Sequence, residues 1–64
     1  MKVRELIGVL ESKGWLHVRT RGSHRQFKHP SHSVVVTVPG KLGKDVEIGM
    51  AKGILKTAGI EDKK

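Results

Sequence analysis

The sequence contains no cysteine among its 64 residues, and this constrains the fold more than any other single feature. A chain of this length buries only about 60% of the surface that its unfolded form exposes, so its apolar core is thin. Residues 1–64 are expected to form one domain without the disulfides that support many small proteins. The missing thiols also exclude a cysteine nucleophile and a cysteine-rich zinc site. The length excludes a doubly wound nucleotide fold, a TIM barrel and an immunoglobulin sandwich.

The net charge of the chain lies entirely in its central half. Thirteen Lys and Arg against six Asp and Glu give a net charge of +7. No acidic residue lies between Ser12 and Lys44, and that stretch contains seven Lys and Arg, so the other six basic and six acidic residues cancel. A basic segment of this kind attracts polyanions, and nucleic acid is the usual one. The alternative is a solvated basic face that only keeps the protein soluble.

The apolar residues occur in short groups, which bears on where the protein acts. The longest apolar run is Val34-Val35-Val36, so we expect no membrane-spanning segment. Residues 1–5 lack the apolar stretch of a signal peptide. We therefore expect a cytoplasmic domain.

Apolar periodicity predicts two helices that flank three strands. Spacings of three and four residues are typical of a helix face, and alternation in the central stretch is typical of strands. The predicted elements are a helix over about residues 2–13, strands over about residues 15–20, 24–29 and 34–38, and a helix over about residues 46–58.

In the first predicted strand, Leu16 and Val18 are expected on one side and His17 and Arg19 on the other, which indicates a half-buried strand. Trp15 precedes this alternation. It could stack on a nucleic-acid base or pack at the edge of the domain.

The second predicted strand has one large apolar residue, Phe27, which is expected to face the core. Alternation then places His24, Gln26 and Lys28 on the opposite, open face. Both helices would cover the other face. The expected fold is therefore an α+β domain in which a three-stranded antiparallel sheet carries two helices on one face, the architecture of a compact double-stranded RNA-binding domain.

A glycine-rich basic loop, residues 40–44, connects the third strand to the second helix, and we expect it to be flexible. Asp45 is expected to cap that helix. Gly59 followed by Ile60 predicts a Schellman ending. The buried stripe of the helix is predicted at Ala51, Ile54, Leu55 and Ala58.

His24 is the best candidate for a reacting group. It follows a Gly22-Ser23 turn, opens a strand and has Arg21 and Arg25 nearby. Imidazole can move protons at physiological pH, and arginines can hold a phosphodiester and stabilise its developing charge. RNA supplies its own 2′-hydroxyl nucleophile, so one proton-transfer group and cations suffice. An ordinary exposed strand histidine is the alternative.

Other chemistries have less support in the sequence. A Ser23 nucleophile would need a central carboxylate to orient a histidine base, and none is present. His29 and His32 bracket Pro30, but no cysteine or carboxylate lies near them to complete a metal site. We expect no metal and no cofactor.

Several segments together resemble the HicA-type toxins of bacterial toxin–antitoxin pairs, small mRNA interferases with a double-stranded RNA-binding-like fold. Arg21-Gly22-Ser23-His24-Arg25-Gln26-Phe27-Lys28-His29-Pro30 is similar to the motif of that family. The first helix with its exit at residues 10–15, the strand end at 36–39 and the closing helix at 48–60 are similar as well. Gly53 and the glycine-rich loop depart from the common pattern.

The resemblance implies an endoribonuclease that cleaves mRNA, with His24 as its catalytic histidine, and a HicB-type antitoxin that covers the active face. We expect a metal-independent enzyme that is monomeric without its antitoxin. A non-catalytic RNA-binding module of the same fold and an accessory protein that meets an acidic partner are the alternatives. Gly22 and Ser23 would shape the active-site turn, and the residues expected to bind RNA are Arg19, Arg21, Arg25, Gln26, Lys28 and Lys41.

Overall fold

A computed structural model describes residues 1–60 of the chain, and positions 61–64 of the predicted domain lie outside the described residues. The three strands form one antiparallel sheet in the order β1-β2-β3. The predicted element order is confirmed, although β3 begins two residues earlier than expected. The elements are α1 (Val3–Ser12), β1 (Leu16–Arg21), β2 (His24–His29), β3 (His32–Val38) and α2 (Ile48–Thr57).

The apolar core lies between the helices and one face of the sheet. On α1, the buried residues recur at the spacing of one helix face, as the sequence predicts. Phe27 is fully buried and is paired with Val36 on β3, so both side chains point toward the helices. The buried side chains are Val3, Leu6, Ile7, Leu10, Trp15, Phe27, Val36, Val38, Val46, Ala51 and Ala58.

Strand β1 differs from its predicted half-buried form. Every residue of β1 is exposed, including Leu16 at 60% and Val18 at 53%. Trp15, which precedes the strand, is only 1% exposed and occupies the core instead. The prediction that apolar residues of β1 are buried was wrong because the strand register places His17, rather than Leu16, opposite Phe27, and Trp15 joins the core instead.

A β-bulge at Val18 also changes which residues of β1 share a face. His17 lies opposite Phe27 and Arg19 lies opposite Gln26, so Val18 is the extra residue. Strict alternation predicts His17 and Arg19 on the same side. Because the bulge interrupts that alternation, Arg19 lies on the side of Gln26, away from the core.

The basic loop is held against the start of α1 by backbone hydrogen bonds, whereas its flexibility stays a prediction. The Val3 amide donates a hydrogen bond to the Lys44 carbonyl at 2.8 Å, and the Arg4 amide donates one to the Leu42 carbonyl at 3.2 Å. These amides belong to the first turn of α1, where no intrahelical acceptor is available. The loop carbonyls supply the missing acceptors.

Helix α2 begins two residues later than predicted, and Asp45 does not cap it. Glu47 occupies the N-cap position without a side-chain cap. Asp45 instead pairs with Lys2, in an isolated β-bridge and in an ion pair of 3.4 Å between Nζ and Oδ1. The carboxylate is therefore used to join two distant segments of the fold.

The end of α2 and its buried side follow the prediction more closely. Gly59 has a φ of +74°, and the Ile60 amide donates to the Leu55 carbonyl at 2.8 Å, which confirms the Schellman ending. In the predicted stripe, Ala51 and Ala58 are buried, and Ile54 and Leu55 are half-buried. No helix among the described residues is long and apolar enough to cross a membrane.

Candidate nucleic-acid interface

The sheet face opposite the helices, which we call the open face, brings most of the predicted RNA-binding residues together. Directly paired residues of antiparallel strands project to the same side with Cβ atoms about 5 Å apart. Arg21 lies opposite His24, and Arg19 lies opposite Gln26. The open face consists of Leu16, Arg19, Arg21, His24, Gln26, Lys28 and Thr37.

Thr37 is a member of the open face that the sequence predictions missed. It lies opposite Gln26 on β3 and is exposed, so Arg19, Gln26 and Thr37 form a polar row across all three strands. Its position between the buried Val36 and Val38 was the signal in the sequence, because alternate residues of a strand point to opposite faces.

A two-residue turn of Gly22 and Ser23 presents His24 at the start of β2. Gly22 has a φ of +59°, whereas Ser23 does not have a positive φ. Glycine with positive φ at the first turn position is typical of type II′ hairpins, whose twist matches that of the flanking strands. The turn therefore fixes Arg21 and His24 as direct neighbours.

The His24 side chain is exposed, and no hydrogen bond or ion pair among residues 1–60 involves its ring. His29 differs sharply. Its Nδ1 accepts a hydrogen bond from the Ser31 amide at 2.9 Å, so Nε2 carries the proton and donates to the Lys13 carbonyl at 3.0 Å. His29 thus connects two turns, whereas both nitrogens of His24 are accessible to a ligand.

The other two histidines also have partners. His32 stacks on Trp15 with ring centroids 5.1 Å apart. His17 lies beside Phe27, and its Nε2 is 2.7 Å from the Thr20 hydroxyl. Because the strand register places His17 opposite Phe27, this exposed histidine lies on the other side of the sheet from His24.

Arg25 is placed differently from the other predicted RNA-binding residues. It lies opposite Thr20 and Val38 and points to the side of Phe27, away from the open face. The side chain is half-buried, and Nη1 donates a hydrogen bond to the Gly40 carbonyl at 3.0 Å. Its predicted direct contact with RNA stays a prediction.

The remaining predicted cations have no anionic partner within the described chain. The ion pair found among residues 1–60 joins Lys2 to Asp45, outside the central segment. Arg19, Arg21 and Lys28 are exposed on the open face, and Lys41 is exposed in the basic loop. A surface with several unneutralised cations and no nearby carboxylate is suited to a polyanion.

The histidines do not assemble with carboxylates in this part of the chain. Within residues 1–60, no three His, Cys, Asp or Glu side chains lie close enough together to hold a metal ion. His29 and His32 are in edge contact, with centroids 4.7 Å apart, but hydrogen bonds already occupy both ring nitrogens of His29.

Comparison with known proteins identifies a family to which the chain is similar. A family model described as the HicA toxin of bacterial toxin–antitoxin systems matches residues 3–60. A comparison with curated proteins gave no match. The family match extends over both helices, the whole sheet and the Gly22-Ser23-His24 turn. The chain therefore belongs to the HicA family of bacterial toxins.

Proposed function

We propose that this toxin is a metal-independent endoribonuclease that cleaves mRNA, arrests translation and growth, and uses His24 as its general acid–base. The observation that carries the proposal is the exposed imidazole of His24, which has no partner among residues 1–60 and lies directly opposite Arg21 on a basic sheet face. Membership of the HicA toxin family supports the same activity.

The chemistry needs few groups because RNA brings its own nucleophile. The 2′-oxygen forms a bond to phosphorus while the bond from phosphorus to the 5′-oxygen breaks. His24 either accepts the proton of the 2′-hydroxyl or donates one to the departing 5′-oxygen, and solvent water makes the other proton transfer. Arg21, whose Cβ lies about 5 Å from that of His24, stabilises the negative charge that develops on the phosphoryl oxygens.

The rest of the open face holds the strand that carries the scissile phosphate. Arg19 and then Lys28 lie at increasing distance from His24 along the sheet, and both neutralise neighbouring phosphates. Gln26 offers an amide to a base edge or a sugar. Lys41 provides a further cation from the basic loop, near the end of β3.

We propose that a protein partner covers this face when the toxin is inactive. Membership of a toxin–antitoxin family implies an antitoxin, and we propose that it is of the HicB type and covers His24 and its neighbouring cations. We propose that the toxin without its antitoxin is a monomer and acts in the cytoplasm on mRNA.

The decisive experiment compares His24→Ala with a matched histidine variant, His17→Ala, on the other side of the sheet. Purified proteins are incubated with a labelled single-stranded RNA in the presence of a chelator, and growth is followed in cells that lack antitoxin. We expect His24→Ala to lose cleavage by at least about 100-fold and to stop arresting growth. His17→Ala should cleave like the wild type.

Four outcomes would contradict the proposal in different ways. Cleavage by His24→Ala at the wild-type rate would remove the catalytic role of His24. Loss of wild-type cleavage in the chelator would indicate a metal. RNA binding without any product from the wild type would indicate the non-catalytic RNA-binding module, which the same basic face also fits. Absence of RNA affinity would favour the other alternative, an accessory protein whose basic face binds an acidic protein partner.

A further inference from the structure

We propose that Arg25 is a positioning residue, which acts on RNA cleavage through the basic loop by holding the Gly40 carbonyl and thereby placing Lys41. This inference rests on the proposed ribonuclease function. It replaces a direct phosphate contact for Arg25 with an indirect one, made through the position of Lys41.

The geometry shows what Arg25 does in the folded chain. Its side chain leaves β2 on the helix side of the sheet, one residue after His24. Arg25 lies opposite Val38, and the chain leaves β3 immediately beyond that residue. The 3.0 Å bond from Nη1 to the Gly40 oxygen therefore ties the exit of β3 to the strand that carries His24. A hydrogen bond from a charged donor is roughly twice as strong as one between neutral groups.

The loop has a second attachment, so two anchors define its path. Its far end is bound to the first turn of α1, through the Val3 and Arg4 amides and the Lys44 and Leu42 carbonyls. The Lys44 amide also closes a turn onto the Lys41 carbonyl at 3.0 Å. Lys41 thus lies between the Arg25 anchor and the α1 anchor, and loss of the first would free it to move.

Gly40 is required by the same arrangement. Its φ is +95°, and a Cβ at this position would lie 3.4 Å from Val3 Cγ2. Residues that carry a side chain rarely adopt such a φ. Gly43, three residues later in the same loop, has no positive φ, and a Cβ there would meet no atom within 4 Å. These two glycines provide a matched pair that changes no charge.

The test is a double-mutant cycle with Arg25→Met, Lys41→Ala and the double variant. The readout is kcat/KM for cleavage of a labelled single-stranded RNA oligonucleotide, corrected for the folded fraction. We expect each single variant to lose about 10-fold, which is the loss of one charge-assisted hydrogen bond. The double variant should also lose about 10-fold, rather than the roughly 100-fold expected for independent residues.

Two further measurements distinguish positioning from a contact made by Arg25 itself. Gly40→Ala should lower kcat/KM like Arg25→Met although it removes no charge, whereas Gly43→Ala should match the wild type. In Arg25→Met, hydrogen exchange of the Val3 and Lys44 amides should accelerate, while that of the β1–β2 ladder should not change.

The proposal fails if the Arg25 and Lys41 effects multiply, if Lys41→Ala is fully active, or if Gly40→Ala folds and cleaves normally. If Gly40→Ala does not fold, the double-mutant cycle of Arg25→Met and Lys41→Ala still tests the proposal. If the ribonuclease proposal itself were wrong, the wild type would give no cleavage product, and this result is distinct from the three named above.

Discussion

At the residue scale, neighbouring side chains of similar character have opposite fates. Trp15 and Leu16 are adjacent and both apolar, yet Trp15 is 1% exposed and Leu16 is 60% exposed. His24 and His29 are the first and last residues of β2. His29 connects two backbone segments, whereas the ring of His24 has no partner within residues 1–60. Residue type therefore says little here about role, because the three-dimensional position decides which group a side chain meets.

The first prediction at this scale concerns Trp15 and Leu16. Trp15→Ala should lower the free energy of unfolding by about 3–5 kcal/mol because it opens a cavity in the core. Leu16→Ala should change it by less than about 0.5 kcal/mol because that side chain is exposed. Urea unfolding followed by circular dichroism measures both, since Trp15 is the only tryptophan and fluorescence would be lost.

Trp15→Phe should keep enough packing for a measurable transition if Trp15→Ala is unfolded under all conditions. Equal destabilisation by Leu16→Ala and Trp15→Ala would contradict the assignment of the core.

At the element scale, the β-bulge in β1 determines the composition of the open face. If every residue of β1 were kept and Val18 were paired with Gln26 instead of bulging, Arg19 would lie opposite Arg25 on the helix side of the sheet. The bulge places it opposite Gln26 instead. The positive charge of the open face thus depends on a local irregularity of the strand as well as on the arginines themselves.

Two single-residue deletions test this role of the bulge. Deletion of Val18 makes β1 regular and leaves Arg19 opposite Gln26, so we expect RNA affinity to stay close to that of the wild type. Deletion of Thr20 also makes β1 regular, but it moves Arg19 to the helix side and should weaken binding about 10-fold, the loss of one charged contact.

Both deletions should be made in the His24→Ala background, which prevents cleavage, and measured by fluorescence anisotropy with a labelled single-stranded RNA. The shared length and regular β1 make each deletion the control for the other. Stronger binding after deletion of Thr20 than after deletion of Val18 would show that the bulge does not place Arg19 on the RNA-binding face.

At the scale of the whole molecule, the +7 net charge belongs to one region. The acidic residues that the structure describes are Glu5 and Glu11 in α1, Asp45 and Glu47. None of these four residues lies in the sheet. No acidic residue within residues 1–60 neutralises the cations of the open face and the basic loop, and their field extends about 8–10 Å into a physiological buffer.

This arrangement predicts a steep salt dependence of RNA binding. If Arg19, Arg21, Lys28 and Lys41 each neutralise one phosphate, log K should fall with log salt at a slope of about −3, since each contact on a single strand contributes about −0.7. The slope is measured by anisotropy titrations of His24→Ala at several salt concentrations. Arg19→Gln should make it about 0.7 shallower.

Lys52→Gln is the matched control, because Lys52 is an exposed cation on α2. It should leave the slope unchanged. An equal effect of Lys52→Gln and Arg19→Gln would mean that net charge, rather than the open face, attracts RNA.

Local patterns in the sequence were sufficient to predict the element order, the burial of Phe27, the Schellman ending at Gly59 and the candidate turn at residues 22–24. These follow from periodicity and from the conformational freedom of glycine, which depend on neighbouring residues. The clustering of cations without acids was also visible there, and it pointed to a polyanion before any geometry was known.

Tertiary structure decided the features that depend on packing between distant segments. It buried Trp15 rather than Leu16, placed Arg19 on the open face through the bulge, and used Asp45 to bind Lys2 instead of capping α2. It also turned Arg25 toward Gly40, 15 positions along the chain. The physical reason is the same in each case. Several side chains of the sequence could fill the same core volume, occupy the same position in the strand register or bind the same backbone acceptor. Only the folded arrangement determines which side chain does so.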